Sequence, residues 1–184
     1  FAAVFELEES LKEGAKECVD ALKNAGMRVA MLTGDNEYAA KRVAEGLGIG
    51  ETVANALPTD KAAYVERLAQ QGRNVLMAGD GINDAAALAL SSVAVCMGSG
   101  AAVSIAKSDV VLIKDDPASL AAAVALARRT YRIVRQNLAF SLVYNAVTIP
   151  LAMAGYVAPA VAALSMSLSS VAVVLNALRA GSER

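Results

Sequence analysis

The stretch from Val75 to Ala89 contains the side chains best suited to chemistry. A short apolar run, V-L-M-A, predicts a buried strand, and the motif G-D-G-I-N-D follows it directly. Glycines on both sides of Asp80 allow a sharp turn, and Asn83 or Asp84 can then cap the next helix. Asp80 is thereby placed at the carboxyl end of a strand and Asp84 in the first turn of a helix, so both carboxylates reach one small volume. Grouped oxygen ligands suit Mg²⁺, and the sequence therefore predicts a magnesium site there.

Two further motifs carry polar groups. The apolar run Val29–Leu32 ends at Thr33-Gly34-Asp35, where a hydroxyl and the backbone N–H groups beside a glycine can receive a phosphate. Taken alone, this motif is more typical of an ordinary strand end with a turn. Lys61 closes the segment P-T-D-K and, taken alone, is typical of a solvated helix face.

The elements that must position these motifs alternate between strands and helices. We predict strands at Phe1–Leu7, Val29–Leu32, Val75–Ala78, Val93–Met97 and Val110–Ile113. We predict helices that begin near Ser10, Asn36, Thr59 and Asp84. This alternation predicts an α/β fold with a parallel sheet and helices on both faces. Ligands of such sheets bind beyond the carboxyl ends of the strands, where the polar residues of the first two motifs fall.

The three motifs resemble, in order and spacing, those of P-type ATPases within the haloacid-dehalogenase-like superfamily. G-D-G-I-N-D followed by A-A-A-L resembles the hinge signature, Thr33-Gly34-Asp35 resembles the T-G-D motif, and Pro58-Thr59-Asp60-Lys61 resembles the P-x-x-K segment. The resemblance implies a partial haloacid-dehalogenase-like (Rossmann-type) parallel sheet domain, with Mg²⁺ as cofactor and ATP as substrate.

The resemblance also implies a role for each motif residue. Lys61, Thr33 and Asp80 would be catalytic, with Lys61 neutralising an aspartyl phosphate, since charge on transferring oxygens is stabilised electrostatically. Asp80 and Asp84 would bind Mg²⁺. Phosphate or nucleotide would be bound by Thr33, Gly34, Asp35, Lys61 and Asn83.

The family's nucleophile, an Asp in a D-K-T-G-T segment, has no counterpart in the 184 residues. We therefore expect the chain to be the C-terminal part of a pump, and to be inactive alone. Two positions depart from the family pattern: Ala86 stands where Pro is usual, and Gly98-Ser99-Gly100-Ala101-Ala102 lacks the Asp of a G-x-G-T-D pattern. Neither departure removes the carboxylates predicted to bind Mg²⁺.

The C-terminal third is apolar and uncharged over a long stretch. No charged residue occurs from Gln136 to Leu178, a run of about 43 residues that would measure roughly 65 Å as a helix, about twice a 30 Å hydrocarbon core. Gly155–Pro159 offers a break, so we predict membrane helices at Leu138–Tyr156 and Ala158–Leu178. Arginines flank the pair, which places both ends on the cytoplasmic side. A buried soluble hairpin is the alternative.

The predicted hairpin contains polar and sulfur-bearing side chains. Tyr144-Asn145 and Met166-Ser167-Leu168-Ser169-Ser170 resemble the Y-N and M-x-x-S-S motifs of the copper(I) branch of heavy-metal (type IB) pumps. A thioether is a soft ligand that suits Cu(I), and polar groups at membrane depth are functional candidates. The resemblance implies that Tyr144, Asn145, Met166 and Ser170 bind transported Cu⁺, with a copper chaperone as a partner. The alternative is that Ser and Asn join the helices while Met fills a gap.

Composition restricts the class of protein. The chain is 56% hydrophobic with a mean hydropathy of +0.45, which is too apolar for an ordinary soluble domain. A net charge of −1 gives no basic field for nucleic acid. There is no His, and Cys18 and Cys96 form no C-x-x-C pair, so we expect both to be small core residues in a reducing compartment.

We predict four segments along the chain: the second half of a phosphorylation domain (1–115), an amphipathic connecting helix (116–136), a transmembrane hairpin (137–179) and a cytoplasmic tail (180–184). The predicted function is ATP-driven Cu(I) export from a bacterial inner or plasma membrane, with a cytoplasmic catalytic domain and no nucleic-acid partner. The alternatives are a pump for Zn²⁺, Cd²⁺ or another divalent ion, a membrane-anchored phosphatase of the same fold, and a non-catalytic binding partner. The hairpin has no Asp or Lys, which disfavours the zinc branch by resemblance.

Overall fold

The computed structural model describes residues 11–79, 82–98, 102–114, 116–156 and 158–181, without the side chains of residues 82, 103, 104, 159 and 162. The chain divides into two compact units, the first ending at Ala122 and the second beginning at Ala123. The predicted strand at Phe1–Leu7 and the candidate site residue Asp80 lie outside the described residues.

Five short strands of the described part of the chain form two parallel sheets. Their bounds are β1 Ala30–Leu32, β2 Glu51–Val53, β3 Leu76–Gly79, β4 Val93–Cys96 and β5 Val110–Val111. One sheet pairs β1 with β2, and the other has the order β3-β4-β5. The parallel α/β prediction is thereby confirmed. The sequence does not predict β2, because its three residues, E-T-V, are too few and too polar for a periodic signal.

Seven helices occur in the described residues, together with a 3₁₀ turn at Ile82–Asp84 that precedes α4. Their bounds are α1 Ala15–Asn24, α2 Glu37–Leu47, α3 Pro58–Gln70, α4 Ala85–Leu90, α5 Ala102–Ala106, α6 Pro117–Met153 and α7 Pro159–Leu178. The sequence does not predict α5, which has only five residues.

Helix starts depend on local chemistry, and two of them correct the sequence prediction. Asn36 caps α2 as predicted, because its side chain accepts a hydrogen bond from the Ala39 N–H at 2.9 Å. Thr59, in contrast, does not open α3. Pro58 occupies the first turn, and the Asp60 carboxylate accepts a hydrogen bond from the Leu57 N–H at 2.9 Å, so the helix begins earlier. α1 begins at Ala15 rather than near Ser10, after Gly14 with φ of 77°.

The core of the first unit is formed by small and branched apolar side chains. The buried set includes Val19, Leu22, Ala44, Val65 and Leu88. Cys18 and Cys96 are also buried and free, which confirms their prediction as core residues. Burial raises the pKa of the Cys18 thiol, so this thiol is held in its protonated, unreactive form.

The second unit contains α7 and most of α6, which pack side by side. The connecting helix and the first predicted membrane helix are one continuous element, and α6 ends at Met153, before the predicted Tyr156. α7 closely matches the second predicted helix. Taken over the described residues, no helix is both long and apolar enough to cross a membrane. The predicted transmembrane hairpin is therefore not confirmed by the structure.

Candidate active site

A buried ion pair joins α3 to the segment that follows β3. Lys61 Nζ donates a hydrogen bond to Asp84 Oδ1 at 2.8 Å, and each side chain is only 12% exposed. Val65, one turn along α3 from Lys61, is buried and α3 packs closely on α4. The structure thus brings the P-x-x-K and G-D-G-I-N-D motifs together. Because two opposite charges share a site withdrawn from water, the geometry of each depends strongly on the other.

Asp84 does not cap α4 as the sequence predicts. It occupies the N-cap position, but its side chain makes no capping hydrogen bond, because the carboxylate is turned toward Lys61. Its second oxygen lies against the end of β3: a Cβ atom placed on Gly79 would come within 2.7 Å of Asp84 Oδ2. Because Gly79 has no side chain, the Asp84 carboxylate can reach the end of β3.

The Asp84 carboxylate near the end of β3 offers oxygen donors of the kind that Mg²⁺ prefers. Lys61 engages one oxygen of Asp84, and the other oxygen lies against Gly79, the residue before Asp80. Asn83 is exposed beside them. Within the described residues, no three His, Cys, Asp or Glu side chains are grouped closely enough to hold a metal ion. A magnesium ion at Asp84 would accordingly need Asp80 together with water or phosphate oxygens to complete its coordination.

The T-G-D motif forms a tight, exposed turn at the end of β1. Thr33 Oγ1 donates a hydrogen bond to Asp35 Oδ2 at 2.6 Å, and the Asp35 N–H donates to Thr33 Oγ1 at 3.1 Å. The hydroxyl and carboxylate therefore hold each other in place. A Cβ atom on Gly34 would have only one ordinary contact, at 3.8 Å from the Ala56 carbonyl oxygen, so the surface of the turn is open to a ligand.

Sequence analysis missed Asn55, which connects the T-G-D turn to the helix bearing Lys61. The Asn55 N–H donates to the Asp35 carbonyl at 2.7 Å, and the Ala56 N–H donates to the Thr33 carbonyl at 2.9 Å. Asn55 has φ of 49°, a left-handed conformation that Asn tolerates better than most residues. The sequence signal was an Asn shortly before the Pro that opens α3. Backbone hydrogen bonds therefore fix the T-G-D turn close to the start of α3.

A second polar cluster holds α3 against the sheet. Tyr64 donates its hydroxyl to Glu51 Oε1 at 2.6 Å, Arg28 Nη2 lies 3.2 Å from Glu51 Oε2, and the Arg67 guanidinium lies 5.0 Å from the centre of the Tyr64 ring. The hydrogen bond from Tyr64 lowers the pKa of Glu51. Burial and the same hydrogen bond raise the pKa of Tyr64 to about 12. Because Tyr64 is three residues from Lys61, the cluster anchors the part of α3 that bears the lysine.

The predicted metal ligands of the second unit lie on different faces of α6 and α7. Tyr144 faces α7, where its hydroxyl lies 2.9 Å from Ser165 Oγ. Met166 is 69% exposed, and Asn145 and Ser170 are also exposed. Ser170 Oγ donates to the Met166 carbonyl at 3.0 Å, one turn back on the same helix. The helix pair alone does not enclose a site around these four residues.

Comparison with known proteins connects these features to one class of protein. A family model described as haloacid dehalogenase-like hydrolase matches residues 1–91. A copper-exporting P-type ATPase of Bacillus subtilis (strain 168) is 40% identical over 178 residues, which cover 97% of this chain and 22% of that protein. A copper-exporting P-type ATPase of Staphylococcus aureus (strain JH9) is 42% identical over 171 residues, covering 93% of this chain and 21% of that protein. The chain therefore spans about a fifth of the length of the curated relatives it matches.

Solved structures agree with this result. A zinc-transporting PIB-type ATPase in its E2.Pi state matches 94% of this chain and 28% of its own, with a TM-score of 0.86 and 33% identity. The catalytic domain of the CPx-ATPase CopB-B matches 60% of this chain and 44% of its own, with a TM-score of 0.57 and 41% identity. The resemblance found in the motifs is thereby confirmed: over most of its length this chain is homologous to copper-exporting P-type ATPases, and it contains a haloacid-dehalogenase-like parallel-sheet domain.

Proposed function

We propose that this chain is part of an ATP-driven pump that exports Cu(I) across a membrane through an aspartyl-phosphate intermediate. The observation that carries the proposal is the Lys61–Asp84 pair at 2.8 Å, buried beside the end of β3. A cation held at the end of a parallel strand is suited to stabilise charge on a transferring phosphoryl group. The homology to copper-exporting ATPases supplies the reaction class and the cargo.

Each site residue has a distinct part in this proposal. Asp84 orients the Lys61 ammonium, which donates hydrogen bonds to the phosphoryl oxygens. The open turn at Thr33 and Gly34 binds phosphate, while Asp35 and Asn83 lie toward the nucleotide. Asp80 and Asp84 would hold Mg²⁺, which supplies charge neutralisation on the phosphoryl oxygens when bound. ATP and the metal ion are thus the proposed substrates, and a copper chaperone is the proposed donor of the metal.

The nucleophile would come from a part of the pump outside this chain, and the first unit has a place for its strand. Among the described residues, β1 pairs with β2 alone and β3 with β4 alone, so each has an unpaired edge. A cavity of about 180 Å³ is bordered by both strands, with Ala30 and Leu32 on one side and Leu76 and Ala78 on the other. We place the nucleophile-bearing strand in this gap, which implies that the 184 residues alone are inactive.

The helix pair of the second unit is the proposed membrane anchor. Its uncharged run from Gln136 to Leu178 supports this assignment, as do the many exposed apolar side chains on both helices. Just after the C-terminal end of α7, the Arg179 carbonyl accepts a hydrogen bond from Arg129 of α6. Arginines at both ends of the run support a cytoplasmic location for the first unit.

A second candidate cargo is a divalent metal ion. The match to a zinc-transporting ATPase over 94% of this chain favours it. Copper remains the proposal because the two curated relatives compared above are copper-exporting ATPases and because Met166 presents a soft thioether on the exposed surface of α7.

The phosphorylation chemistry is tested in the full-length pump with Asp80→Asn and Asp84→Asn. Each substitution removes one negative charge with little change of shape, so phosphoenzyme formation from labelled ATP should fall by at least about a hundredfold. Asp20→Asn, on the exposed surface of α1, is the matched control and should not alter it. Normal phosphorylation in both site variants would contradict the magnesium assignment. Stimulation by Cu(I) and not by Zn²⁺ decides the cargo.

A further inference from the structure

A basic groove lies on the surface of α6, immediately before the uncharged part of the helix. The groove has a volume of about 550 Å³ and is lined by Arg128, Tyr131, Arg132, Arg135, Gln136 and Ala139. Its arginines are spaced by four and three residues, so they share one face of the helix. The guanidinium of Arg135 lies 5.9 Å from the centre of the Tyr131 ring, a distance that allows a cation–π contact between these two lining residues.

The two helices of the second unit carry basic but no acidic side chains. No Asp or Glu occurs between Pro117 and Ser182, so neither α6 nor α7 contributes a carboxylate. All three arginines of the groove are exposed. A surface with this concentration of guanidinium groups is complementary to an anion, and guanidinium geometry is particularly suited to phosphate.

The surface next to the groove is apolar. Ala139 closes the groove, and exposed apolar side chains follow at Leu138, Leu142 and Val143. A ligand that matches both parts needs an anionic head and a hydrocarbon tail. We propose that this groove binds the phosphate headgroup of an anionic phospholipid of the cytoplasmic leaflet, with its acyl chains along the apolar face that follows. The inference rests on the proposed membrane location of the helix pair.

The test uses the complete 184-residue chain in phosphatidylcholine nanodiscs. Spin-labelled phosphatidylglycerol and spin-labelled phosphatidylcholine are compared, and electron paramagnetic resonance measures the fraction of each held at the protein. The wild-type chain should prefer phosphatidylglycerol. The preference should fall by about fivefold for each arginine replaced, in Arg132→Gln, Arg135→Gln and the double variant. Arg42→Gln, an equal change of charge on α2, should leave it unchanged.

A competition experiment distinguishes a lipid headgroup from a phosphate anion in free solution. Excess inorganic phosphate should lower the preference no more than sodium chloride of the same ionic strength does, because both act only by screening. If phosphate alone removes the preference, the ligand is free phosphate and the lipid assignment is wrong. If the chain enters the nanodiscs but holds equal fractions of the two spin-labelled lipids, the headgroup inference is wrong and the proposed membrane location is unaffected. A chain that does not enter them overturns both the membrane location and this inference.

Discussion

Lys61 and Asp84 show how a buried charge is tolerated in the first unit. Removing either charge from water costs several kcal/mol, and the cost is offset only when the partner is well placed. Their 2.8 Å contact meets that condition. Loss of one partner should therefore affect both stability and any phosphoryl chemistry, so a variant at either residue needs a stability measurement beside its activity measurement.

Gly79 offers a test of the carboxylate position that does not change any charge. In Gly79→Ala the new Cβ would approach Asp84 Oδ2 to 2.7 Å, and either the carboxylate or the strand end must move. We expect a loss of about 1–3 kcal/mol in the free energy of unfolding, which is typical of overpacking. Urea unfolding of the chain measures it.

Gly50→Ala is the matched control for Gly79→Ala, because a Cβ there has no atom within 4 Å. The double variant Gly79→Ala with Asp84→Ala should lose less stability than the sum of the two single variants, since removing the carboxylate relieves the clash. Additive losses would show that Gly79 is needed for another reason.

At the scale of elements, the hydrogen bond between Tyr64 and Glu51 couples α3 to β2 and makes the stability of the first unit depend on pH. Tyr64 has an ordinary pKa of 10.0 and a folded pKa of about 12. Because the folded pKa is raised, the stabilisation of the folded state by Tyr64 is complete below pH 10 and is lost as the pH rises through 12. The pKa of Glu51 is lowered from 4.5, so its contribution is present above pH 4.5 and is lost as the pH falls through its lower folded value.

We therefore expect the wild-type chain to exceed Tyr64→Phe in free energy of unfolding by at most about 1 kcal/mol at neutral pH, since the hydrogen bond is partly exposed to water. The difference should stay constant up to pH 10 and shrink toward pH 12. Urea unfolding at stepped pH measures it. Tyr38→Phe, at a largely exposed tyrosine of α2, should show no such dependence. A difference that persists unchanged at pH 12 would contradict the coupling.

Under the proposed function, the exposed face of α7 would be where Met166 meets metal donors from other parts of the pump. In the full-length protein, Met166→Leu keeps volume and apolarity but removes the sulfur, so it should weaken Cu(I)-stimulated ATP hydrolysis. Back-phosphorylation by inorganic phosphate should remain intact. Met153→Leu, at another largely exposed methionine, at the end of α6, is the control. If the control weakens copper stimulation and Met166→Leu does not, the M-x-x-S-S assignment is wrong.

At the scale of the whole molecule, the two sheets of the first unit offer a test of the proposed position of the nucleophile strand. If it fills the gap between β1 and β3, the unpaired edges of both strands should become hydrogen-bonded in the full-length pump. We expect amide hydrogens of β1 and β3 to exchange more than about tenfold faster in the 184-residue chain than in the complete protein. Amides of β4, paired on both sides by β3 and β5, are the internal control. Equal protection of β1 and β3 in both proteins would place that strand elsewhere.

The amino-acid sequence by itself determined the features that depend on neighbouring residues. Asn36 caps α2 because its side chain reaches an N–H three residues ahead, and Gly48 ends the same helix in a left-handed conformation. The apolar runs around Met31 and Met77 form parallel strands as predicted. The three motifs, each a short contiguous stretch, were enough to reveal the homology. Such features are visible in the sequence because their energy comes from groups a few residues apart.

Only the tertiary structure decided the features whose energy comes from distant groups. Asp84 has a good position for capping α4, yet its carboxylate pairs with Lys61, 23 residues away, because a charge-assisted contact in a buried site outweighs a local cap. The strand at Glu51–Val53 exists because β1 supplies hydrogen bonds and Arg28 and Tyr64 hold its first residue. Likewise, the contact of Tyr144 with Ser165 depends on the packing of two helices. These partners are distant in sequence and meet only when the chain folds, so no local sequence pattern reveals them.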